Sequence, residues 1–533
     1  MKYFKFTRAL GILALATGLS ALATSCVDDL DQVPDYSANA EVVYSDPAQI
    51  QQVLARLYAT FAVSGQTGPA GAPDITGIDE GFSNYLRQYW QLQELTTDEA
   101  ILGWNDGNLV SINTVQWNAD NEFVRATYDR IYYEIGLCNE FIRQTSDARL
   151  SDRGISGDEA SAVRTYRAEA RLLRALCYWH VVDLFGGGPF ATEEASIGTK
   201  PSYASRADLF AYVESELKDL DIGGLLLAPR AVYGRADQGM CWTLLTKLYL
   251  NAQVYTGTAR YTDAVTYANK VLSAGYTLSP SYANLFLADN GQTAARNELI
   301  FSVNFDGVRT KTYGGMTYLV RAPVGRAVSA TSAGVNGGWF GLRAKQNLTG
   351  LLATSSTNDA RRAMVVTRAQ NPNVDTIDQF TSGALIAKYR NVTSTGAPGS
   401  DPARDFPDTD FPMFRLADVK LMYAEALLRG GTGGTAGTAL SQVNDLRTRA
   451  NASAATAVNV NDILDERARE LFWEGHRRTD LIRFGRYATG YNWPFKGGVR
   501  AGRDVEATRV LFPIPNTDIV ANPNLAGRQN PGY

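Results

Sequence analysis

The chain of 533 residues carries 51 basic and 55 acidic side chains, a formal net charge of −4, and that balance argues against nucleic acid as a partner. Hydrophobic residues at 45% and charged residues at 20% describe an ordinary globular protein with enough chain for a large core or two closely packed halves. Two histidines and four cysteines leave little material for a histidine–metal site or a Ser-His-Asp centre.

Lys2, Lys5 and Arg8 precede an apolar run from Ala9 to Leu22, and Leu22-Ala23-Thr24-Ser25 leads directly into Cys26. A stretch this short, with basic residues in front and small residues at its exit, reads as a secretory leader rather than a spanning helix. The cysteine makes it resemble a bacterial lipoprotein signal, in which residues 1–25 are removed and Cys26 is lipidated. Ala23 stands where a larger aliphatic residue is commoner. Residues 26–40 are acidic and polar and read as a flexible tether. No later stretch is long and apolar enough to cross a membrane.

Ile50, Val53, Leu54, Leu57, Tyr58 and Phe61 fall at helical spacing and predict a first helix, ended by the Gly- and Pro-rich 65–81. Residues 85–121 carry Trp90, Trp104 and Trp117 among Asn, Asp and Gly, with a turn at Trp104-Asn105-Asp106-Gly107. Helix resumes over 122–144 and again over 163–185, where two apolar faces demand neighbours on both sides. Gly186-Gly187-Gly188-Pro189 ends the second of these, and 206–220 reads as its partner.

Trp242, Leu245 and Tyr249 then match the opening of a tetratricopeptide repeat, with Thr246 at the usual glycine, and Tyr261–Leu272 supplies the second helix. Leu416, Val419 and Tyr423, followed by Ala439, Val443 and Leu446, repeat the layout; Leu172–Trp179 echoes its first half. Such helix pairs stack into a superhelix. Between them, Leu299, Phe301, Val303 and Phe305 alternate as in a short strand. Residues 307–410 form a long, weakly periodic stretch of the kind that is functional or disordered. Cys138, Cys177 and Cys241 lie within apolar helical patterns and read as buried free thiols, a single disulfide being the alternative. The fold expected is mainly α: tetratricopeptide-like helix pairs in an α-α superhelix, with long irregular loops and a few short strands.

The last hundred residues carry the most specific pattern. Glu466–Arg486 reads ERARELFWEGHRRTDLIRFGR, in which Ala468, Leu471, Phe472 and Gly475 would share one helical face and Glu474 would pair with Arg478. Phe512-Pro513-Ile514-Pro515, Asn522-Pro523-Asn524-Leu525 and Gln529-Asn530-Pro531-Gly532-Tyr533 follow. Together these resemble the SusD/RagB family of outer-membrane nutrient-binding lipoproteins. The resemblance implies a single domain over 41–533, with an N-terminal part about 41–230 and a C-terminal part about 231–533. It also implies a cell-surface, lipid-anchored protein on the outer membrane. Such a protein captures oligosaccharides and delivers them, as a lid, to a SusC-like TonB-dependent barrel, with no catalysis, cofactor or metal.

Three rivals stand beside that reading. A glycan-active enzyme needs two carboxylates flanking the scissile bond, and Asp98-Glu99 and Glu193-Glu194 are adjacent pairs that do not face one substrate. A pure protein scaffold leaves the aromatic loops without a purpose. The same lid with peptides or another nutrient as cargo is the closest alternative. A sugar presents C–H faces to aromatic rings while its hydroxyls need amide and carboxylate partners, so the ligand site should combine both in loops. Two stretches do: Trp104, Asn105 and Asp106 with Asn108, and Asn336 with Trp339, backed by Tyr313 and Tyr318. Trp104 and Trp339 are the expected stacking platforms, and Asn105, Asp106 and Asn336 the expected hydrogen-bond partners.

Overall fold

The computed structural model describes residues 40–196 and 198–533; the leader, Cys26 and the tether as far as residue 39 lie outside them. Contacts divide the chain into residues 1–50 and 51–533. In the first unit, a short helix spans Ala40–Val43.

The second unit is a succession of helices in which each packs on the next. Glu122–Gln144 lies against Gly157–Leu184, then come Arg206–Ile222, Gln238–Leu250, Tyr261–Leu272, Leu416–Leu428 and Ala436–Arg449. The residues at the repeat positions explain the stacking. Leu172, Leu176, Leu245, Tyr249, Ala264, Ala268, Val419, Ala439 and Val443 are all buried, so each helix has apolar faces toward two neighbours. The boundaries are written locally. Asn121 accepts hydrogen bonds from the Phe123 and Val124 amides, and Ser205 with Asp208 forms a capping box, satisfying N–H groups that a helix start leaves open. Gly186, at φ 76°, turns the chain where a side chain would be strained. Cys138, Cys177 and Cys241 are buried free thiols. Among the described residues no helix is long and apolar enough to cross a membrane.

The strand expected at 299–305 is Leu299–Val303, and its antiparallel partner is Phe411–Arg415, more than a hundred residues on. Residues 307–410 hold short helices at Gly315–Arg321 and Gln346–Ala353, and strands at Leu342–Ala344, Val365–Val366 and Leu385–Ile386, in otherwise irregular chain.

The segment 466–486 departs from the continuous helix its spacing predicts. Helix Val460–Leu471 stops at Phe472, Trp473 takes φ 63° and Gly475 φ 79°, and a new helix runs Arg477–Arg483. Long-range partners break it. Trp473 donates its amide to Glu99 Oε2 at 3.1 Å, and Glu474 pairs with Lys388 (2.7 Å) and Arg415 (2.6 Å) rather than with Arg478, which donates to the Val510 carbonyl. Arg415 also meets Glu298 and Glu470. Burial alone would raise the Glu470 carboxyl, but Arg449, Arg415 and Arg361 hold it down to about 2. The segment is thus the centre of a buried ionic frame joining helices far apart in sequence; an unpaired charge there would be costly.

Candidate functional site

A three-residue strand brings the two aromatic loops together. Ala100–Leu102 pairs antiparallel with Leu342–Ala344, Ala100 opposite Ala344 and Leu102 opposite Leu342, and Gly103 N–H extends the ladder to the Gly341 carbonyl at 3.0 Å. Trp104 and Trp339 are therefore held side by side although 235 residues separate them. The Trp104 indole N–H donates to the Trp339 carbonyl at 3.2 Å, and the ring lies so closely over Gly341 that a Cβ there would sit 2.4 Å from it.

Three rings form a strip. Trp104 and Trp339 have centroids 6.1 Å apart, tilted by 55°; Trp339 and Tyr313 are 6.4 Å apart, tilted by 57°. The two indoles are half-buried and Tyr313 is 38% exposed. Each ring is braced from behind. Tyr313 is fixed through its amide by Glu80 Oε2 at 3.0 Å, Glu80 in turn accepting from Thr312. Trp339 donates its amide to the Arg321 carbonyl at 3.0 Å, and the Arg321 guanidinium lies 5.4 Å from its ring centre while bonding Asp405. Tyr318 is fully buried, edge-on to Trp104 at 6.0 Å and to Trp90 at 5.7 Å. It supports the strip and offers no surface, which corrects its expected place among the ligand contacts.

The polar expectations divide. Asn105 and Asp106 are exposed at the end of the strip. Asn108 is exposed too, with its amide N–H₂ engaged by Glu122 at 2.7 Å. Asn336 is committed elsewhere: its side-chain nitrogen donates to Ala403 O at 2.9 Å and to Asp405 Oδ1 at 2.6 Å. Both amide hydrogens are used inside the protein, so Asn336 braces the Trp339 loop and keeps only its carbonyl oxygen for a ligand.

Arg87 is the polar residue missed by the sequence reading. It sits in helix Tyr85–Glu94, its guanidinium 3.8 Å from the Phe82 ring centre, 4.5 Å from Tyr318 and 5.6 Å from Trp104. No carboxylate pairs with it among the described residues, its Nε is buried without a partner, and burial lowers its pKa to about 10. Arg87 is itself buried, so its guanidinium braces the Tyr318 and Trp104 rings from behind. The sequence signal was a cation among Leu86, Tyr89, Trp90 and Leu92 in a helix that also carries three glutamines.

Of the adjacent carboxylate pairs, Asp98, Glu99 and Glu193 are engaged within the protein. Asp98 pairs with Arg477 at 2.7 Å, and Arg174 holds Glu193. Glu99 is buried, and its pKa is pushed up to about 7 by burial. His180 bonds the Tyr85 hydroxyl at 2.6 Å, and burial drives both histidines to about 3, leaving them neutral. Near the end of the stretch 307–410, where four aspartates fall within ten residues, Asp401 accepts from the Asp405 and Phe406 amides and Asp408 from Gly307 and Ser400. Those carboxylates hold the loop's own backbone.

The chain has recognisable relatives. The chain is 34% identical to the starch-binding protein SusD of Bacteroides thetaiotaomicron, with 99% of each chain aligned. It is 26% identical to a SusD-like protein of Formosa agariphila, over 80% of this chain and 84% of that one. In structure it matches surface glycan-binding protein A of Bacteroides thetaiotaomicron in complex with laminarihexaose at a TM-score of 0.68 and 19% identity, covering 91% of this chain and 99% of that one. The same protein from Bacteroides uniformis matches at 0.68 and 21%. Residues 245–533 match the SusD family, and with a relative this similar over its whole length the chain belongs to that family.

Proposed function

We propose that this protein binds starch-like α-glucan oligosaccharides on the Trp104–Trp339–Tyr313 strip and delivers them, as a lid, to a SusC-like TonB-dependent barrel. Cys26 carries the lipid that holds it at the outer surface of the outer membrane. The observation that carries the reading is the strip itself: three partly accessible rings in a row. Rings turned by 55° and 57° from one to the next make a curved platform, which suits a glucan that coils rather than one that lies flat. The 34% identity to a starch-binding protein points the same way. Stacking takes the sugar's C–H faces, and Asn105 and Asp106 stand at one end, exposed, to bond its hydroxyls.

Calorimetric titration with a linear α-1,4-glucan of about six to eight residues tests this on wild type, Trp104→Ala and Trp339→Ala. Removing a central aromatic anchor typically costs about 2 kcal/mol or more. Each variant should therefore bind at least about tenfold more weakly. Wild-type affinity in both variants would end the assignment.

A further inference from the structure

A second pair of aromatic rings lies beside the Trp104 end of the strip. Phe340 follows Trp339 in the chain and precedes Gly341, on which the Trp104 ring rests. It is 54% exposed, more than Tyr313 of the strip, and is held at φ 52°, a conformation strained for a residue with a Cβ. Its ring meets Phe380 edge-on, with centroids 5.3 Å apart and planes at 66°. Both rings lie over Gly325, where a Cβ would stand 2.5 Å from Phe340 and 2.9 Å from Phe380.

Phe380 reaches this place on a loop that a buried cation pins to the Trp104 strand. Arg343 stands opposite Ile101 in the ladder, is fully buried and has no ion pair among the described residues. It donates instead to the carbonyls of Ile377, Gln379 and Ser382. The Ile377 carbonyl also stands 3.0 Å from where a Cβ would be at Gly103, the residue before Trp104. Taking a guanidinium out of water is costly, and what this one holds still is an exposed tip. Asp378 and Gln379 are exposed there and Phe380 partly so, and Gln379 Nε2 donates to Asp378 Oδ2 at 3.1 Å. A ring, an amide and a carboxylate in one loop are the combination that the strip loops carry.

We propose that Phe340 and Phe380, with Asp378 and Gln379 beside them, form an outlying subsite for the end of a longer α-glucan whose middle lies on the strip; the choice of sugar rests on reading the strip as a glucan site. An exposed phenylalanine in a strained conformation contributes little to the fold, whereas its open face suits the C–H face of a sugar. The glycan chain itself links the two contacts, so the second raises affinity through local concentration without altering the first.

The test is calorimetric titration of maltotriose, maltohexaose and a longer amylose fragment of defined length into wild type, Phe340→Ala, Phe380→Ala and Trp104→Ala/Trp339→Ala. Maltotriose should bind both phenylalanine variants as it binds wild type, which also shows them folded. The long fragment should bind each of them at least about fivefold more weakly than wild type. Wild-type affinity for the long fragment in both variants would overturn the proposal. So would a loss as large for maltotriose as for the fragment, since the pair would then be shaping the strip. If the long-fragment loss stands but affinity at every length is indifferent to Trp104 and Trp339, the phenylalanine pair is a sugar contact and the strip reading is refuted. No α-glucan binding by wild type at any length would overturn both.

Discussion

Glu134 is buried in the middle of helix Glu122–Gln144, and burial outweighs the hydrogen bonds around it. The Thr60 hydroxyl stands within donating distance of both the Leu57 carbonyl, at 2.7 Å, and Glu134 Oε2, and its bond to the carboxyl favours the charged form. The Cys138 thiol donates to the other oxygen at 3.3 Å, and burial pushes the Glu134 pKa up to about 8. A carboxyl raised above its unfolded value contributes stability that is complete below the unfolded pKa and is lost as pH rises through the folded one. For Glu134 the loss runs from about pH 4.3 to about pH 8. At pH 7, keeping the proton costs about 3.7 kcal/mol, from about 2.7 pH units at 1.36 kcal/mol each. Glu134→Gln keeps the shape of the side chain, removes the titrating group and so removes that cost. A chain near 500 residues has an unfolding entropy of about 1 kcal/mol/K, so the variant should melt ~3–4 °C higher at pH 7. The advantage should vanish at pH 4. Thermal melts of both proteins across pH 4 to 8 are the assay. A variant that melts below wild type at pH 7, or one that keeps its advantage at pH 4, would refute the neutral carboxyl.

Gly341→Ala should displace the Trp104 ring, which sits 2.4 Å from the added Cβ. Glucan affinity should fall about tenfold, as for loss of an anchor, with a shift in tryptophan emission; unchanged affinity would mean that Trp104 does not contact sugar. Cys26→Ser should release the protein from washed membranes of cells lacking the barrel, since acyl chains contribute about 0.8 kcal/mol per buried CH₂, and retention in the pellet would refute the lipid anchor.

The helix pairs were legible because each repeat position is occupied by a residue that must be buried, as Leu245 and Tyr249 are. The aromatic loops were legible as chemistry, since tryptophans among Asn, Asp and Gly have little reason to be there except a ligand or a pin. Their meeting was not legible: the ladder that joins them is three residues long on each side, too short for any alternation to announce it. Arg87 escaped notice because it stands between Leu86 and Tyr89, both buried, and a helix face does not declare that its cation has no partner. Asn336 misled for the opposite reason, its partners Ala403 and Asp405 lying 67 and 69 residues away. The break at Trp473 was hidden in the same way. Local spacing favours one helix, and partners at Glu99, Lys388 and Arg415 override it.

Those long-range partners connect the most recognisable segment of the chain to the strip. Trp90 donates its indole N–H to the Trp473 carbonyl at 2.8 Å and meets Tyr318 edge-on, and Tyr318 meets Trp104 in turn. Glu99, which accepts the Trp473 amide, also accepts the Lys345 amide at 3.2 Å. It therefore lies at the end of the ladder that sets Trp104 beside Trp339. A platform that binds through ring faces gains most when its rings are held in place before the ligand arrives, because ordering them on binding would be paid from the affinity. The buried ions behind the strip need not touch sugar to matter. By fixing Trp473 between Glu99 and Trp90 they fix the wall on which Trp104 leans, so a segment whose residues are spent on structure still determines the shape of the aromatic strip.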